Sequence, residues 1–178
     1  MATKKTSMFT LTERLTISAA ATDTFATIDL GSYVDVGDRQ ALQVHSVDYV
    51  FQGTSADDQV VSSLNADNSC LVQLTDLNRG GMVFTDDRAL VSSASLYKAA
   101  AAAGLFEEAD MFPDNYGKGS EDGRYVVNDQ LYITGRVTTG GLAAGESVNV
   151  TVRVNASIVS LTAKDFMAIA IQSTAADN

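Results

Sequence analysis

The chain is poor in the residues that most catalytic and metal sites require. Its 178 residues include one cysteine, one histidine, one proline and no tryptophan. The single cysteine, Cys70, excludes an intrachain disulfide and CxxC metal chemistry, and we interpret it as a small buried apolar residue. The single histidine, His45, excludes multi-histidine metal sites, and any Ser-His-Asp arrangement would have to use it. We therefore expect no enzymatic activity, no cofactor, and no catalytic, cofactor-binding or metal-binding residue.

Long apolar runs and phosphate-binding loops are also missing. No apolar stretch is long enough to cross a bilayer, so we expect no transmembrane segment. Residues 1–9 contain two lysines but no apolar stretch behind them and no small-residue cleavage site, which argues against a secretory signal. A Walker loop, a nucleophile elbow and GxGxxG are absent, and we interpret Gly80-Gly81 and Gly140-Gly141 as turns.

Basic residues are few. The net charge is −10, and the twelve lysines and arginines are scattered along the chain. Nucleic-acid binding depends on lysine and arginine neutralising phosphates, so the composition argues against a whole surface built for it. Only Lys4 and Lys5 are adjacent, and two lysines make a weak phosphate anchor. We expect direct nucleic-acid contact to be weak or absent.

Strict alternation is the strongest pattern that is present. Between Val148 and Ile158 every second residue is apolar and the residues between them are polar. This period of two is typical of a strand with one buried face and one solvent face. Strands of parallel sheets are covered on both faces and read as continuous apolar runs. The pattern therefore predicts an antiparallel sheet packed on one side.

Similar patterns predict most of the remaining elements. Between Gln40 and Phe51 the alternation changes phase at His45, which indicates a β-bulge or a bend that carries the strand into a second sheet. Residues 54–68 are interpreted as a loop or a weak edge strand. The predicted strands are Thr10–Ser18, Thr24–Leu30, Gln40–Phe51, Ser69–Leu77, Tyr125–Val137 and Val148–Leu161.

Two segments carry helix signals. Ser93 or Ser95 can cap a helix within Ser92–Ala103, followed by a long loop over Leu105–Gly123. Thr162-Ala-Lys-Asp165 is typical of a capping box, with Asp165 in place of the usual glutamate, although a short strand over Phe166–Ile171 is the alternative. About eight strands with long loops favour an all-β antiparallel sandwich, a jelly roll with one or two short helices. We expect one domain over residues 1–178: an arm (1–9), a sandwich (10–161) and a C-terminal helix or tail (162–178).

Acidic clusters are the remaining candidates for a site. The 110–123 loop could offer oxygen ligands to Ca²⁺, but its spacing matches no EF-hand, so a solvated loop is the preferred interpretation. The same applies to Asp57-Asp58 and Asp86-Asp87. Asn149-Val-Thr151 and Asn155-Ala-Ser157 match glycosylation sequons, and we assign them no role. The loop's candidates are Asp110, Asp114, Asn115, Glu121 and Asp122, among Gly117, Gly119 and Gly123.

The C-terminal third resembles a known family. The long alternating strand Val148–Leu161, followed by Thr162-Ala-Lys-Asp-Phe-Met167, is similar to the end of single jelly-roll capsid proteins of small icosahedral viruses. Chain length, strand number, the predicted helix and the long loops fit that family over most of the chain. The resemblance implies a self-assembling coat subunit of an icosahedral shell, located in the virion and assembled in the host cytoplasm. Its partners would be copies of itself, with other virion proteins left open.

One departure from the family matters. Many such capsid proteins begin with a long arginine- and lysine-rich arm that gathers the genome, whereas here only Lys4 and Lys5 precede the first strand. Direct genome packaging is therefore in doubt. The departure suggests a shell over an internal membrane, a virion decoration protein, or packaging by other proteins.

Two other classes remain open. A carbohydrate-binding β-sandwich module would stack sugar rings on exposed aromatics, and it is disfavoured by the absence of tryptophan, although Tyr97, Tyr116, Tyr125 and Tyr132 are available. A jelly-roll enzyme of the cupin type needs a cluster of metal ligands that one histidine can hardly supply. A hydrolase that uses acidic pairs alone also remains open.

Overall fold

The computed structural model describes residues 2–57, 59–99, 105–112 and 123–174. They form two antiparallel five-stranded sheets packed face to face. Sheet A contains β1 (Thr3–Lys4), β2 (Phe9–Ile17), β4 (Gln40–Gln52), β8 (Arg124–Val126) and β10 (Val148–Ser160). Sheet B contains β3 (Thr24–Asp29), β5 (Asn68–Thr75), β6 (Leu90–Lys98), β7 (Leu105–Phe112) and β9 (Gln130–Val137). The helices are α1 (Val60–Ser63) and α2 (Ala163–Thr174).

The strand pairing is nested. β2 pairs with β10, β3 with β9, β4 with β8, and β5 with β6. With β1 and β7 set aside as additions, the first strand pairs with the last, the second with the second-last, and so on inward. This is a long antiparallel hairpin rolled into two sheets, which is the jelly-roll arrangement. The pairings of β10 with β4 and of β9 with β5 complete each sheet. The predicted all-β jelly roll is confirmed.

The core lies between the sheets. On β10 the inward side chains of Val148, Val150, Val152 and Val154 are fully buried, as the alternation predicts. The sheets approach closely at Gly135 of β9, where an added Cβ would lie 2.4 Å from Cδ2 of Leu15. Burial on one face only leaves each sheet with an outer face, and these two outer faces are the candidate surfaces of the protein.

The predicted bulge is present at His45. In the pairing of β4 with β10, Asn155 lies opposite Ser46 and Ala156 lies opposite Val44, so His45 has no partner on β10. The extra residue restores the phase, and inward positions on both sides of the bulge are buried. β4 stays in sheet A over its whole length, so the alternative of a bend into the other sheet is not found.

The C-terminal helix is confirmed together with its cap. The Thr162 hydroxyl accepts a hydrogen bond from the Asp165 backbone N–H at 3.2 Å and donates one to the Asp165 carboxylate at 2.8 Å. The second bond lowers the pKa of Asp165. Phe166 on the inward side of α2 is buried in a small second core on the outer face of sheet A, with Ala41 and Val159 beneath it.

Other predicted elements were wrong. Residues 92–98 of the predicted Ser92–Ala103 helix lie in strand β6, and residues 100–103 lie outside the described residues. An alanine-rich helix of this length is marginal, while a strand here gains two paired neighbours, β5 and β7. The predicted loop Leu105–Gly123 begins instead as strand β7.

Two further corrections concern segment boundaries. The predicted single strand Tyr125–Val137 divides into β8 in sheet A and β9 in sheet B. The turn between them is held by the Asn128 side-chain amide, which donates to the Asp76 carbonyl oxygen at 2.6 Å. The predicted loop over 54–68 contains the single helical turn α1. The other predicted strands are present with ends shifted by one or two residues.

Candidate interaction surfaces

The single histidine is part of a small polar cluster. His45 Nε2 lies 2.9 Å from the Ser157 hydroxyl on β10. Burial and the nearby Lys4 ammonium lower the pKa of His45, so the neutral imidazole is favoured. Cys70 is fully buried in the main core, and this burial raises the pKa of its thiol to about 12. The Ser157 side chain is fully buried, so the contact with His45 does not present its hydroxyl at the surface.

Acidic side chains do not assemble a metal site in the described part of the chain, where no group of three or more His, Cys, Asp or Glu residues could hold an ion. Asp86 is exposed, and Asp87 is paired with Arg79. Asp57 is exposed, and Asp58 lies outside the described residues. Residues 113–122 of the Ca²⁺ candidate loop also lie outside them, and Asp110 is on strand β7. No helix in residues 2–57, 59–99, 105–112 and 123–174 is long and apolar enough to cross a membrane.

The candidate tyrosines are not brought together. Tyr125 packs beside the small core under α2 on sheet A, whereas Tyr97 and Tyr132 are on strands of sheet B. The Tyr97 hydroxyl donates to the Asp67 carboxylate at 2.9 Å, which raises the pKa of Tyr97. Tyr116 lies outside the described residues. No two of the three described tyrosines form a stacked ring pair, so a sugar platform built from them is not supported.

Both sequons lie within strand β10, one at its start and one past its middle. The Asn149 amide donates to the Gly53 carbonyl oxygen at 2.7 Å, and the Asn155 amide donates to the Ser46 hydroxyl at 2.9 Å. Each asparagine is thus bonded across the sheet, and Ser157 is fully buried. The folded chain does not present these asparagines on a loop.

The outer face of sheet B is covered by the segment between β5 and β6, residues 76–89, which we call the 76–89 loop. The Gln73 side-chain amide exchanges two hydrogen bonds, each 2.8 Å, with the backbone N–H and C=O of Val83. Ser93 and Thr134, which point outward on neighbouring strands, are 2% and 5% exposed. The loop therefore folds back over the sheet and shields it from water.

Two ion pairs hold the base of this loop. Arg124 on β8 lies 2.8 Å from the Asp76 carboxylate, and its guanidinium also donates to the carbonyl oxygens of Arg88 and Leu90. Arg79 and Asp87 pair across the loop at 3.1 Å. Burial raises the pKa of Asp76 although the Arg124 charge opposes this shift, so desolvation dominates at this carboxylate. The loop is thus fixed by charged groups that are largely withdrawn from water.

An exposed aromatic side chain stands on this fixed loop. Phe84, next to the clamped Val83, is 87% exposed, and Phe25 on the adjacent edge strand β3 is 54% exposed. One side of the loop is close to the start of β3, because an added Cβ at Gly81 would lie 3.1 Å from the Asp23 carboxylate. A large apolar side chain exposed on a fixed segment is typical of contact sites between proteins.

The outer face of sheet A has a different character. Beyond the area covered by α2 it carries short polar side chains bonded to one another: the Thr10 hydroxyl donates to Asn155 at 2.7 Å, and the Thr16 hydroxyl donates to Asn149 at 2.6 Å. Arg14 and Arg153 also stand on this face, and they make no ion pair with the described residues. Asp48 is opposite Arg153 on β4.

A small polar cavity lies at one end of this face. Its volume is about 280 Å³, and we call it the Arg14 pocket. Its walls come from the ends of β2 and β4, the segment after β4, and the start of β10. The pocket is lined by Arg14, Thr16, Gln52, Thr54, Ser55, Ala56, Ser147 and Asn149.

Sequence reasoning missed both surfaces. The turn at Asn78-Arg79-Gly80-Gly81 was recognised, but its neighbour Phe84 was not, although a phenylalanine within a polar, acidic stretch was a usable signal. The sequence around Arg14 carries no such signal, because an outward residue of an alternating strand is normally a solvated surface residue. Its pocket depends on segments more than a hundred residues apart in the chain.

Comparison with known proteins gives structural likenesses only. No family model matches the chain, and no curated protein matches it. One similar structure is VP1 of Trichodysplasia spinulosa-associated polyomavirus in complex with sialylated glycooligomers, at 9% identity and a TM-score of 0.49, over 89% of this chain and 98% of that chain. Another is the unassembled VP1 pentamer of Merkel cell polyomavirus, at 7% identity and a TM-score of 0.44, over 90% of this chain and 97% of that chain. A chain in the structure of turnip yellow mosaic virus is similar at 12% identity and a TM-score of 0.30, over 90% of this chain and 99% of that chain.

Proposed function

We propose that this protein is a self-assembling subunit of a viral capsid, with copies of itself as its main partner and no catalytic turnover. The observation that carries the proposal is Phe84, 87% exposed on a loop that is itself held in place. In an isolated subunit this side chain contributes nothing to stability. In an assembly, burying it would contribute about 1.5–3 kcal/mol per copy.

The clamps on the 76–89 loop support the same proposal. Docking a mobile loop costs about 0.5–1.5 kcal/mol for each ordered side chain, and a loop fixed before contact avoids much of that cost. Asp76, Arg124 and Gln73 hold the loop against its own sheet whether or not a partner is present. A loop held in this way suits a surface that binds another subunit in one orientation.

The jelly roll suits this role because its two packed sheets form a wall that needs no internal site. A subunit of this kind would take its place in the virion. Shell and decoration subunits share this chemistry. They differ in whether the protein closes a particle alone or only on a shell made by another protein.

The test is the mass of the purified native protein, by light scattering and analytical ultracentrifugation with negative-stain imaging. We expect particles of many copies of the 18.8 kDa chain. Phe84→Ser should reduce particle yield at least tenfold, whereas Phe84→Tyr, which keeps the ring, should retain it. A clean monomer of the unaltered chain across salt and pH would refute shell formation, and unchanged particles with Phe84→Ser would refute the role of Phe84.

A further inference from the structure

We propose that neighbouring copies meet head to tail, with the acidic end of one copy docking at the Arg14 pocket of the next. This inference rests on the proposed function and names the contact that would build the assembly. The acidic end is the loop at residues 31–39 together with the adjoining β8–β9 turn. It has four exposed carboxylates and one exposed cation, Arg39. The carboxylates are Asp29, Asp35, Asp38 and Asp129.

The pocket offers an unused cation among polar groups that are already bonded to each other. Thr16 bonds to Asn149, Gln52 bonds to the Ala56 carbonyl oxygen at 3.1 Å, and Thr54 bonds to the Glu146 carboxylate. The Arg14 side chain, the cation in this lining, makes no hydrogen bond or ion pair with the described residues. Its guanidinium presents five donors that match a carboxylate in a bidentate arrangement. A volume of about 280 Å³ admits a side chain or a loop tip rather than a large ligand.

The charge of this face sets it apart from the rest of the molecule. On the strands around the pocket, the outward cations Arg14 and Arg153 outnumber the single outward carboxylate, Asp48, in a chain of net charge −10. A basic face on an acidic protein attracts an acidic surface, and other copies of the same chain provide one. Aromatic side chains that could stack bases are not among the pocket's lining residues, so the face does not fit single-stranded nucleic acid well.

The acidic end is shaped in advance for such a contact. Asp29 accepts the Gly31 N–H and Asp35 accepts the Gly37 N–H, each at 2.8 Å, so these two carboxylates hold the turns. The loop closes on β4 through the Gln40 N–H, which donates to the Asp35 carbonyl oxygen at 2.8 Å. Val36 at the tip is 68% exposed and adds an apolar contact between the charges.

These two surfaces lie at opposite ends of sheet A. The pocket is beside the pair Ile17 and Val148, where β2 ends and β10 begins, and the acidic loop is beside the pair Gln40 and Ser160, where β4 begins and β10 ends. The 13 residues of β10 span about 40 Å at roughly 3.3 Å each. One copy cannot bring its own acidic end to its own pocket. The contact is therefore between copies, and a head-to-tail contact of this kind closes into rings when its rotation permits.

The experiment is a charge swap read out by sedimentation. Arg14→Glu should lower particle yield at least tenfold, and Asp38→Lys combined with Asp129→Lys should do the same, because each places like charges across the contact. Asp38 and Asp129 are chosen because the turn bonds use Asp29 and Asp35. The chain carrying all three substitutions should regain at least a third of the original yield, since the pair is restored with reversed sign. Lys164→Glu, an equal change of charge at an exposed lysine outside the pocket and outside the 76–89 loop, is the matched control.

Each outcome is decisive. Thermal unfolding of every variant by circular dichroism must match the unaltered protein. Arg14→Gln, which removes the charge and should also lower the yield, serves as a second variant if Arg14→Glu unfolds. Equal yields for Arg14→Glu and Lys164→Glu would overturn the head-to-tail contact while the particles themselves uphold the coat function. Failure of the unaltered chain to form particles at any salt concentration would overturn the coat function and this inference with it. Loss of yield without recovery in the swapped chain would also overturn the pairing.

Discussion

The two outer faces of the sandwich are built in opposite ways. Sheet B is covered by the 76–89 loop, which is held by Gln73 and by buried charge pairs and carries the exposed Phe84 side chain. Among the described residues, sheet A is covered where α2 packs on it. The rest of its outer face carries threonine, serine and asparagine side chains, with two arginines that make no ion pair with the described part of the chain. One face is prepared for apolar contact and the other for polar contact.

This difference shows that the inward and outward positions of alternating strands have different roles. The inward positions of both sheets make one core, so they are constrained to be apolar. The outward positions are free, and each face has acquired its own cover from segments outside the strands. Stability and contact chemistry can therefore be altered separately, face by face.

The largest expected effect comes from breaking the cover of sheet B at its base. Arg124→Met leaves the Asp76 carboxylate buried without its cation, and we expect a loss of about 3–5 kcal/mol in the free energy of unfolding at neutral pH. Chemical denaturation measures it. Because burial already raises the pKa of Asp76, protonation in acid should relieve the cost, and the deficit should shrink as pH falls. The exposed neighbour provides the control: Arg88→Met should change the stability by less than about 0.5 kcal/mol.

The second-largest effect on stability is expected where α2 covers sheet A. Phe166→Ala removes the buried side chain that anchors α2, and we expect a loss of about 3 kcal/mol in the free energy of unfolding, measured by denaturation. Met167→Ala, at the 58% exposed neighbouring position, should cost less than about 0.5 kcal/mol. Equal costs for the two substitutions would contradict the helix orientation described above.

A smaller and more local effect is expected at Gln73. Gln73→Leu removes both bonds to the Val83 backbone, and we expect a cost of about 1–3 kcal/mol because the backbone groups lose their partners. Hydrogen exchange should show faster exchange in residues 76–89 and unchanged protection in β10. Faster exchange spread evenly over both sheets would mean that the loop is not a separate unit on sheet B.

The smallest effect is expected at the bulge on sheet A. Burial and Lys4 lower the pKa of His45 in the folded chain, so the unfolded chain binds the proton more readily. The contribution of His45 is therefore fully present above pH of about 6.5 and is lost as pH falls from there through the folded pKa. His45→Gln should remove this dependence of stability on pH. Thermal unfolding of the two proteins at about pH 7 and about pH 5 measures the difference between them. The opposite trend at Asp76 is common to both proteins and cancels in this comparison. An identical change of unfolding temperature with pH in both proteins would contradict the role given to His45.

Prediction from sequence succeeded where one local pattern decided the outcome. The alternation of Val148–Ile158 indicated the long central strand, the phase change indicated the bulge at His45, and Thr162 with Asp165 indicated the start of α2. It failed over residues 92–98, whose alanine and serine content suits a helix in isolation and a strand between two partners. It also failed over 125–137, where the turn at Asn128 depends on the Asp76 carbonyl oxygen from a segment about fifty residues away.

By itself, the sequence determined that the protein is a two-sided sheet structure with an apolar interior, because side-chain period and residue types are local properties of the chain. The tertiary structure decided which strands share a sheet, where Phe84 is displayed and which residues surround Arg14. Those properties depend on pairings between residues far apart in sequence, such as Val148 with Ile17 and Gln40 with Ser160. A surface made of distant segments has no pattern along the chain, so only the folded protein reveals it.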